Sequence, residues 1–162
     1  MGKRRKYLWL VLAVLIAVST SAAVALRTPS HSRLCDLKSS DLYGKVANSH
    51  PLPNGVKSVV LCHLHSDFGG GDGAWVKSFD VPQPGKFATL VNRAKVGSGI
   101  TCLVAFSDSV RLVVTLETGE RVFLEPMNCG PLVSSYSSLS FEMPAPAKAV
   151  LKKLDPTFNW NL

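Results

Sequence analysis

Apolar and polar residues alternate along several stretches of this chain, which is typical of β-strands with two unlike faces. The longest alternating run covers residues 56–65. A strand over this run places Val56, Ser58, Val60, Cys62 and Leu64 on one face and Lys57, Val59, Leu61, His63 and His65 on the other. A second strand is predicted over 75–81, where Trp75, Lys77, Phe79 and Val81 share a face.

Three more strands are predicted further along the chain. Residues 99–106 are almost continuously apolar, which favours a central strand, and the runs 111–116 and 121–124 flank a turn. A two-residue turn sets Glu117 opposite Glu120, whereas a three-residue turn sets Glu117 opposite Arg121. Opposite charges across strands stabilise a hairpin, so we predict the second register. It gathers on one face Leu112, Val114, Leu116, Val122 and Leu124.

Two segments have the spacing of amphipathic helices. Phe87, Leu90, Val91 and Ala94 follow each other at helical intervals. A second short helix is predicted from near Pro146 to just before Pro156, burying the apolar residues Val150, Leu151 and Leu154. The pattern therefore predicts an α+β domain over 56–162, with an antiparallel sheet of about five strands and two short helices. Residues 27–55 are expected to form an irregular tether and entry loop.

The N-terminus has the residue pattern of an export signal. Lys3, Arg4, Arg5 and Lys6 precede an apolar run over 7–26, as in signal peptides. Ala23, Val24 and Ala25 supply the small residues that signal peptidase accepts, so cleavage is expected before Leu26. The alternative is an uncleaved membrane anchor, because a 20-residue helix rises about 30 Å. Both readings place the domain outside the cytoplasm, either secreted or held at the cell membrane.

The net charge of +7 is mainly a property of this N-terminal segment. Beyond residue 26 the chain has 14 basic and 11 acidic residues. Basic residues before an apolar helix set its orientation in the membrane. The remaining domain has no basic cluster with interleaved aromatic residues, so we do not expect a nucleic-acid partner.

Four cysteines, Cys35, Cys62, Cys102 and Cys129, form an even set in an exported chain, which predicts disulfides. Of the three possible pairings we favour Cys35–Cys62 and Cys102–Cys129, because each closes a loop between neighbouring elements. Each pair is 27 residues apart in sequence. Chain entropy predicts that each bridge stabilises the fold by about 3.5 kcal/mol.

His63, His65 and Asp67 are the sharpest chemical signal, since alternation brings all three to one side of an extended backbone. The run resembles the HxHxDHxGG signature of metallo-β-lactamase-fold hydrolases, which implies zinc ligands at these positions. Phe68 stands where that signature has its third histidine, and no histidine follows His65. The alternative interpretation is two surface histidines beside a glycine-rich loop. We therefore assign no metal or other cofactor.

The order of strands, helix and cysteines resembles small exported actinobacterial proteins of uncharacterised function. That resemblance covers residues 35–132 and implies no activity. The stretch 102–119, with Cys129 after it, also resembles the Streptomyces subtilisin inhibitor family. This second resemblance implies an inhibitor loop in which Val104 and Ala105 flank the scissile bond, and a serine protease as partner.

Because no complete catalytic constellation is found, the sequence favours a protein that is not an enzyme. We expect an extracytoplasmic binding or structural module with an extracytoplasmic protein partner, and with contact to the membrane if the N-terminal segment stays uncleaved. The alternatives are a serine protease inhibitor acting through Val104 and a metal-dependent hydrolase acting through His63, His65 and Asp67.

Overall fold

The structure is a computed structural model that describes residues 34–35, 44–65, 74–97, 108–126 and 131–160. These described residues belong to one unit that begins at Leu34. It is an α+β fold with two helices, as predicted, but its antiparallel sheet has six strands where about five were predicted, in the order β2-β1-β3-β4-β5-β6. In chain order the elements are β1 (Val56–His65), β2 (Ala74–Asp80), α1 (Pro84–Val91), β3 (Asp108–Leu116), β4 (Arg121–Pro126), β5 (Pro131–Ser134), β6 (Ser137–Glu142) and α2 (Ala145–Leu154).

Strand β1 has the predicted bounds and lies between β2 and β3. Both of its faces are buried, with Val59 and Leu61 in the main core and Val60 and Cys62 in a second cluster. The predicted face of Val56 is wrong, because a register shift between Val56 and Ser58 interrupts the alternation. An extra residue in one strand turns the next side chain to the other face. Val56 therefore packs against the main core.

The hairpin between β3 and β4 has the predicted face but not the predicted pairing. Arg121 lies opposite Thr115, not Glu117, and the amide of Leu116 donates to the carbonyl of Glu120. The loop has three residues, and Gly119 at its end has φ +86°. In a three-residue hairpin loop the last position is left-handed, which favours glycine there. Gly119 therefore sets the register of the hairpin, and the pair of Glu117 with Arg121 is not formed. The shift keeps the same residues on the core face.

Strands β5 and β6 were not predicted, because the segment is rich in serine. The hydroxyl groups of Ser134 and Ser137 are buried, and they donate to the carbonyls of Pro51 and Asn48 at 2.6 and 2.8 Å. A buried hydroxyl is tolerated in a sheet when it is hydrogen-bonded. These bonds fasten residues 48–51 of the irregular entry segment to the sheet, and Leu52 beyond them is buried in the main core.

Close packing at Gly44 yields a test of this arrangement. A Cβ atom at Gly44 would lie 2.4 Å from the backbone nitrogen of Ser137. We expect Gly44→Ala to lower the free energy of unfolding by about 1–3 kcal/mol, because the obstructing atoms are backbone. Gly85→Ala is the matched control, since nothing lies within 4 Å of a Cβ there and the position is helical. That change should stabilise by about 0.4–1 kcal/mol. Urea denaturation measures both, and equal effects would contradict the packing.

The two helices cover one face of the sheet and form the main core with it. The predicted helices are confirmed: Phe87 and Val91 of α1 are buried, as is Leu151 of α2, while Leu90, Val150 and Leu154 are partly buried. Helix α1 ends at Val91, so Ala94 packs from the turn that follows it. Each helix has a proline in its first turn, where the missing amide hydrogen is harmless.

The predicted bridge between Cys35 and Cys62 is present on the opposite face of the sheet, with Cα atoms 5.7 Å apart. It lies in the second cluster with Val60 and Val113, and Phe123 packs partly against it. The bridge thereby fastens residues 34–35 over β1 and β3.

Several predictions fall outside the described residues. These are the N-terminal apolar run over 7–26, the strand over 99–106, and Cys102 and Cys129. Among the described residues, no helix is both long and apolar enough to cross a membrane.

Candidate functional site

His63 is buried under the C-terminal segment, which corrects the interpretation of this residue as a surface histidine. Strand pairing sets His63 between Lys77 of β2 and Val110 of β3. The side chain is nevertheless almost covered, because residues 155–160, which follow α2, pack over it. His63 as a whole is 7% exposed.

An aspartate from that segment binds His63. Asp155 is 1% exposed, and its Oδ2 lies 2.6 Å from Nδ1 of His63. Burial by itself raises the pKa of the Asp155 carboxyl, but hydrogen bonds from Thr157 and His63 and the charge of a protonated His63 outweigh it. The pKa therefore lies below its ordinary value of 3.8. An ionised carboxylate only accepts hydrogen bonds, so Nδ1 carries a proton and donates it.

Aromatic rings close the site from the C-terminal side. The ring of Phe158 meets that of His63 edge-on at 5.5 Å, and Trp160 meets Phe158 at 4.7 Å. The indole nitrogen of Trp160 donates to the backbone carbonyl of Asp155 at 2.7 Å. Both aromatic residues are buried in the main core. We call Asp155, Thr157, Phe158 and Trp160 the C-terminal clamp.

The hydrogen bonds of the clamp do not have the order that nucleophilic catalysis needs. In a catalytic triad the hydroxyl contacts the imidazole nitrogen that lies far from the carboxylate. Here the hydroxyl of Thr157 donates to Asp155 instead, and Nε2 of His63 has Asp108 Oδ1 3.9 Å away. In the described residues no three His, Cys, Asp or Glu side chains are placed to share a metal ion. Among the described residues, the pair of His63 and Asp155 links the C-terminal segment to β1.

The structure describes the other predicted site residues only in part. His65 ends β1, with its backbone paired to Ala74 and Asp108, but its side chain lies outside the described residues. Asp67, and the inhibitor-loop residues Val104 and Ala105, also lie outside them. The metal and inhibitor hypotheses therefore stay predictions.

A groove between the two helices is the second feature of interest. Its volume is about 480 Å³, within the range of small-molecule sites, about 300–1,000 Å³. Phe87 and Leu90 of α1 form one wall, and Val150 and Leu154 of α2 form the other. We call it the interhelix groove. Another cavity, beside Asn48 and Tyr136, has a volume of only about 140 Å³.

Two lysines lie at the rim of the interhelix groove, Lys86 of α1 and Lys153 of α2. Both are exposed, and neither forms an ion pair with another described residue. The segments that build the helix layer, 82–97 and 143–154, contain six lysines and arginines and no Asp or Glu. The groove thus combines apolar walls with two lysines at its rim, on two helices that carry no acidic side chain.

Sequence patterns alone did not reveal the groove or the clamp. The apolar positions of both helices were predicted to lie in the core. Whether the partly buried residues of α1 and α2 leave a gap between them depends on how the two helices pack. Only a weak signal in the sequence pointed to the clamp. The run of Asp155, Pro156 and Thr157 is typical of a turn in which the aspartate accepts a hydrogen bond from the residue two positions further along. Thr157 makes that bond, with its amide 3.1 Å from Asp155 Oδ1.

Comparison with known proteins adds no further assignment to either site. No protein-family model, curated protein or solved structure matches this chain.

Proposed function

We propose that this protein is an exported, non-catalytic binding module and that the interhelix groove is its binding site. The observation that carries the proposal is the groove itself, a cavity of about 480 Å³ with apolar walls. Apolar clefts with a few polar groups at the edge are the usual form of ligand sites. The disulfide between Cys35 and Cys62 is compatible with export, because such bonds persist in oxidising compartments.

Backbone geometry at one end of the groove supports the proposal. Gln83, which lines the groove, has φ 52° and ψ 61°. A residue with a side chain pays about 1–2 kcal/mol for the left-handed conformation. Strained residues of this kind are concentrated at functional sites. Gln83 is also the N-cap of α1, so the strained residue lies where this helix meets the groove.

Electrostatics at the same end point in the same direction. Lys86 lies in the first turn of α1, where the helix dipole disfavours a positive charge by about 0.3–1 kcal/mol. Lys152 and Lys153, by contrast, lie in the last turn of α2, where the dipole favours them. Helix stability accounts for the position of Lys153 but not for that of Lys86. A ligand at the groove rim accounts for both.

The test uses a neutral fluorescent probe, so that it reports on the groove and not on charge. N-phenyl-1-naphthylamine brightens when it enters an apolar cavity. We expect it to bind the exported protein, and we expect Val150→Trp, which fills the groove, to weaken binding about tenfold or more. Val96→Trp is the matched control, because Val96 is 55% exposed and does not line the groove. Circular dichroism checks that both variants fold.

Two outcomes would refute this assignment. One is no fluorescence change with the wild-type protein. The other is an equal loss of probe binding in both tryptophan variants, which would place the probe elsewhere.

A further inference from the structure

We propose that the ligand of the interhelix groove is a single-chain amphiphile with an anionic head group, of the class of long-chain carboxylates. This inference rests on the proposed function and adds the chemistry of the ligand. The walls are apolar and suit an alkyl chain, whereas Lys86 and Lys153 at the rim suit a carboxylate. A chain with one negative end satisfies both parts of the site at once.

The size of the groove argues for a single chain over a helical segment of a protein partner. The residues that line the groove span only about one turn of each helix, from Lys86 to Leu90 in α1 and from Val150 to Leu154 in α2. Helices that dock into grooves use anchors over two or more turns. The space therefore suits an extended alkyl chain.

The charge of the surroundings decides the sign of the head group. No Asp or Glu occurs in the segments 82–97 and 143–154, so no acidic side chain on either helix neutralises the rim. The positive end of the α1 dipole lies beside Lys86 and adds to the potential there. A cationic head group would be repelled by Lys86 and Lys153, and a neutral one would gain no ionic attraction from them.

Competition against N-phenyl-1-naphthylamine tests the head group, with the exported full chain purified without detergent. Decanoate, decanol and decyltrimethylammonium have the same alkyl chain and differ in charge. We expect decanoate to displace the probe at about a tenfold lower concentration than decanol, and the cation to displace it least. Calorimetry measures decanoate binding directly.

Charge variants locate the effect. In Lys86→Gln/Lys153→Gln the advantage of decanoate over decanol should disappear. The matched control, Lys95→Gln/Lys152→Gln, removes the same charge from residues that do not line the groove and should keep the advantage. An equal loss in both double variants would overturn the inference, because net charge would then explain it.

The remaining outcomes separate this inference from the proposed function. Probe binding with no preference for decanoate would overturn the inference and leave the groove as a binding site. No probe binding and no heat with decanoate would overturn both. The protein could instead sediment with phosphatidylglycerol vesicles but not with phosphatidylcholine vesicles, while decanoate fails to displace the probe. That result would identify a membrane-docking surface and would also overturn the inference.

Discussion

Replacing Asp155 with alanine is expected to lower the free energy of unfolding by about 3–5 kcal/mol, because a buried carboxylate that accepts three hydrogen bonds is removed. Asp155 accepts hydrogen bonds from His63 and from both the amide and the hydroxyl of Thr157. Its removal leaves the imidazole donor of His63 without an acceptor in a site from which water is excluded. A buried donor that loses its partner suffers the full cost of desolvation.

Two further variants distinguish loss of the hydrogen-bonded pair, His63 and Asp155, from loss of the volume that its side chains fill. His63→Phe/Asp155→Leu replaces both polar groups by apolar ones, which is often close to neutral, so it should be more stable than Asp155→Ala. Glu120→Gln, at an exposed turn, controls for loss of an acidic charge and should change stability by no more than about 0.5 kcal/mol. Urea denaturation at pH 7 gives all four values. A double variant as unstable as Asp155→Ala would show that packing of the clamp, and not the pair, dominates.

The same carboxylate predicts a dependence of stability on pH. Its pKa in the folded protein is lowered, so folding is favoured by its ionised form. The resulting stability is complete above the unfolded value near 3.8 and is lost as the pH falls through the lower folded value. In Asp155→Asn this contribution is absent. The difference in unfolding free energy between wild type and Asp155→Asn should therefore shrink as the pH falls from about 5 towards 2.

The clamp also bears on the groove, because Asp155 directly follows α2. The amide of Asp155 donates to the carbonyl of Leu151 and closes the helix, while its side chain is bound to β1 through His63. The wall formed by Val150 and Leu154 is thereby fixed relative to the sheet. We expect Asp155→Ala to weaken binding of N-phenyl-1-naphthylamine as well as stability, although Asp155 does not line the groove.

Local pattern predicted the elements that alternate or repeat cleanly. The bounds of strand β1 were predicted to the residue, and both helices were predicted with their buried sides. The spacing of apolar residues indicates which side of an element faces the core. The hairpin shows where local pattern stops. Its core face followed from alternation, but its pairing followed from the backbone of Gly119, which outweighed the charge pair of Glu117 and Arg121.

Long-range contacts explain what the sequence did not predict. Ser134 and Ser137 look like loop residues until the carbonyls of residues 48 and 51 are found beside them. His63 was recognised as chemically notable, but its partner lies 92 residues away. Nothing in the sequence around His63 or Asp155 indicates that the two residues pair. The candidate site therefore depends on tertiary structure almost entirely.

Removing the bridge between Cys35 and Cys62 is expected to lower the free energy of unfolding by about 3.5 kcal/mol. The two cysteines are 27 residues apart, and the bridge restricts the unfolded chain over that distance. The best variant is Cys35→Ala/Cys62→Val. Cys62 is fully buried beside Val60 and Val113, and valine keeps that space filled. With position 62 kept filled, the loss reports chiefly on the cross-link, because only the Sγ atom of Cys35 leaves space behind.

The denaturant dependence identifies the cause of that loss. If the bridge acts on the unfolded chain, its removal lets the unfolded state expand, and the slope of unfolding free energy against urea concentration rises. Loss of native packing alone would lower the midpoint and leave the slope unchanged. Peptide mapping of the wild-type protein is the control, and a link from Cys35 to Cys102 or Cys129 would contradict the pairing. A variant with wild-type midpoint and slope would mean that the bridge adds nothing to folding, and residues 34–35 would then be held by packing against the sheet.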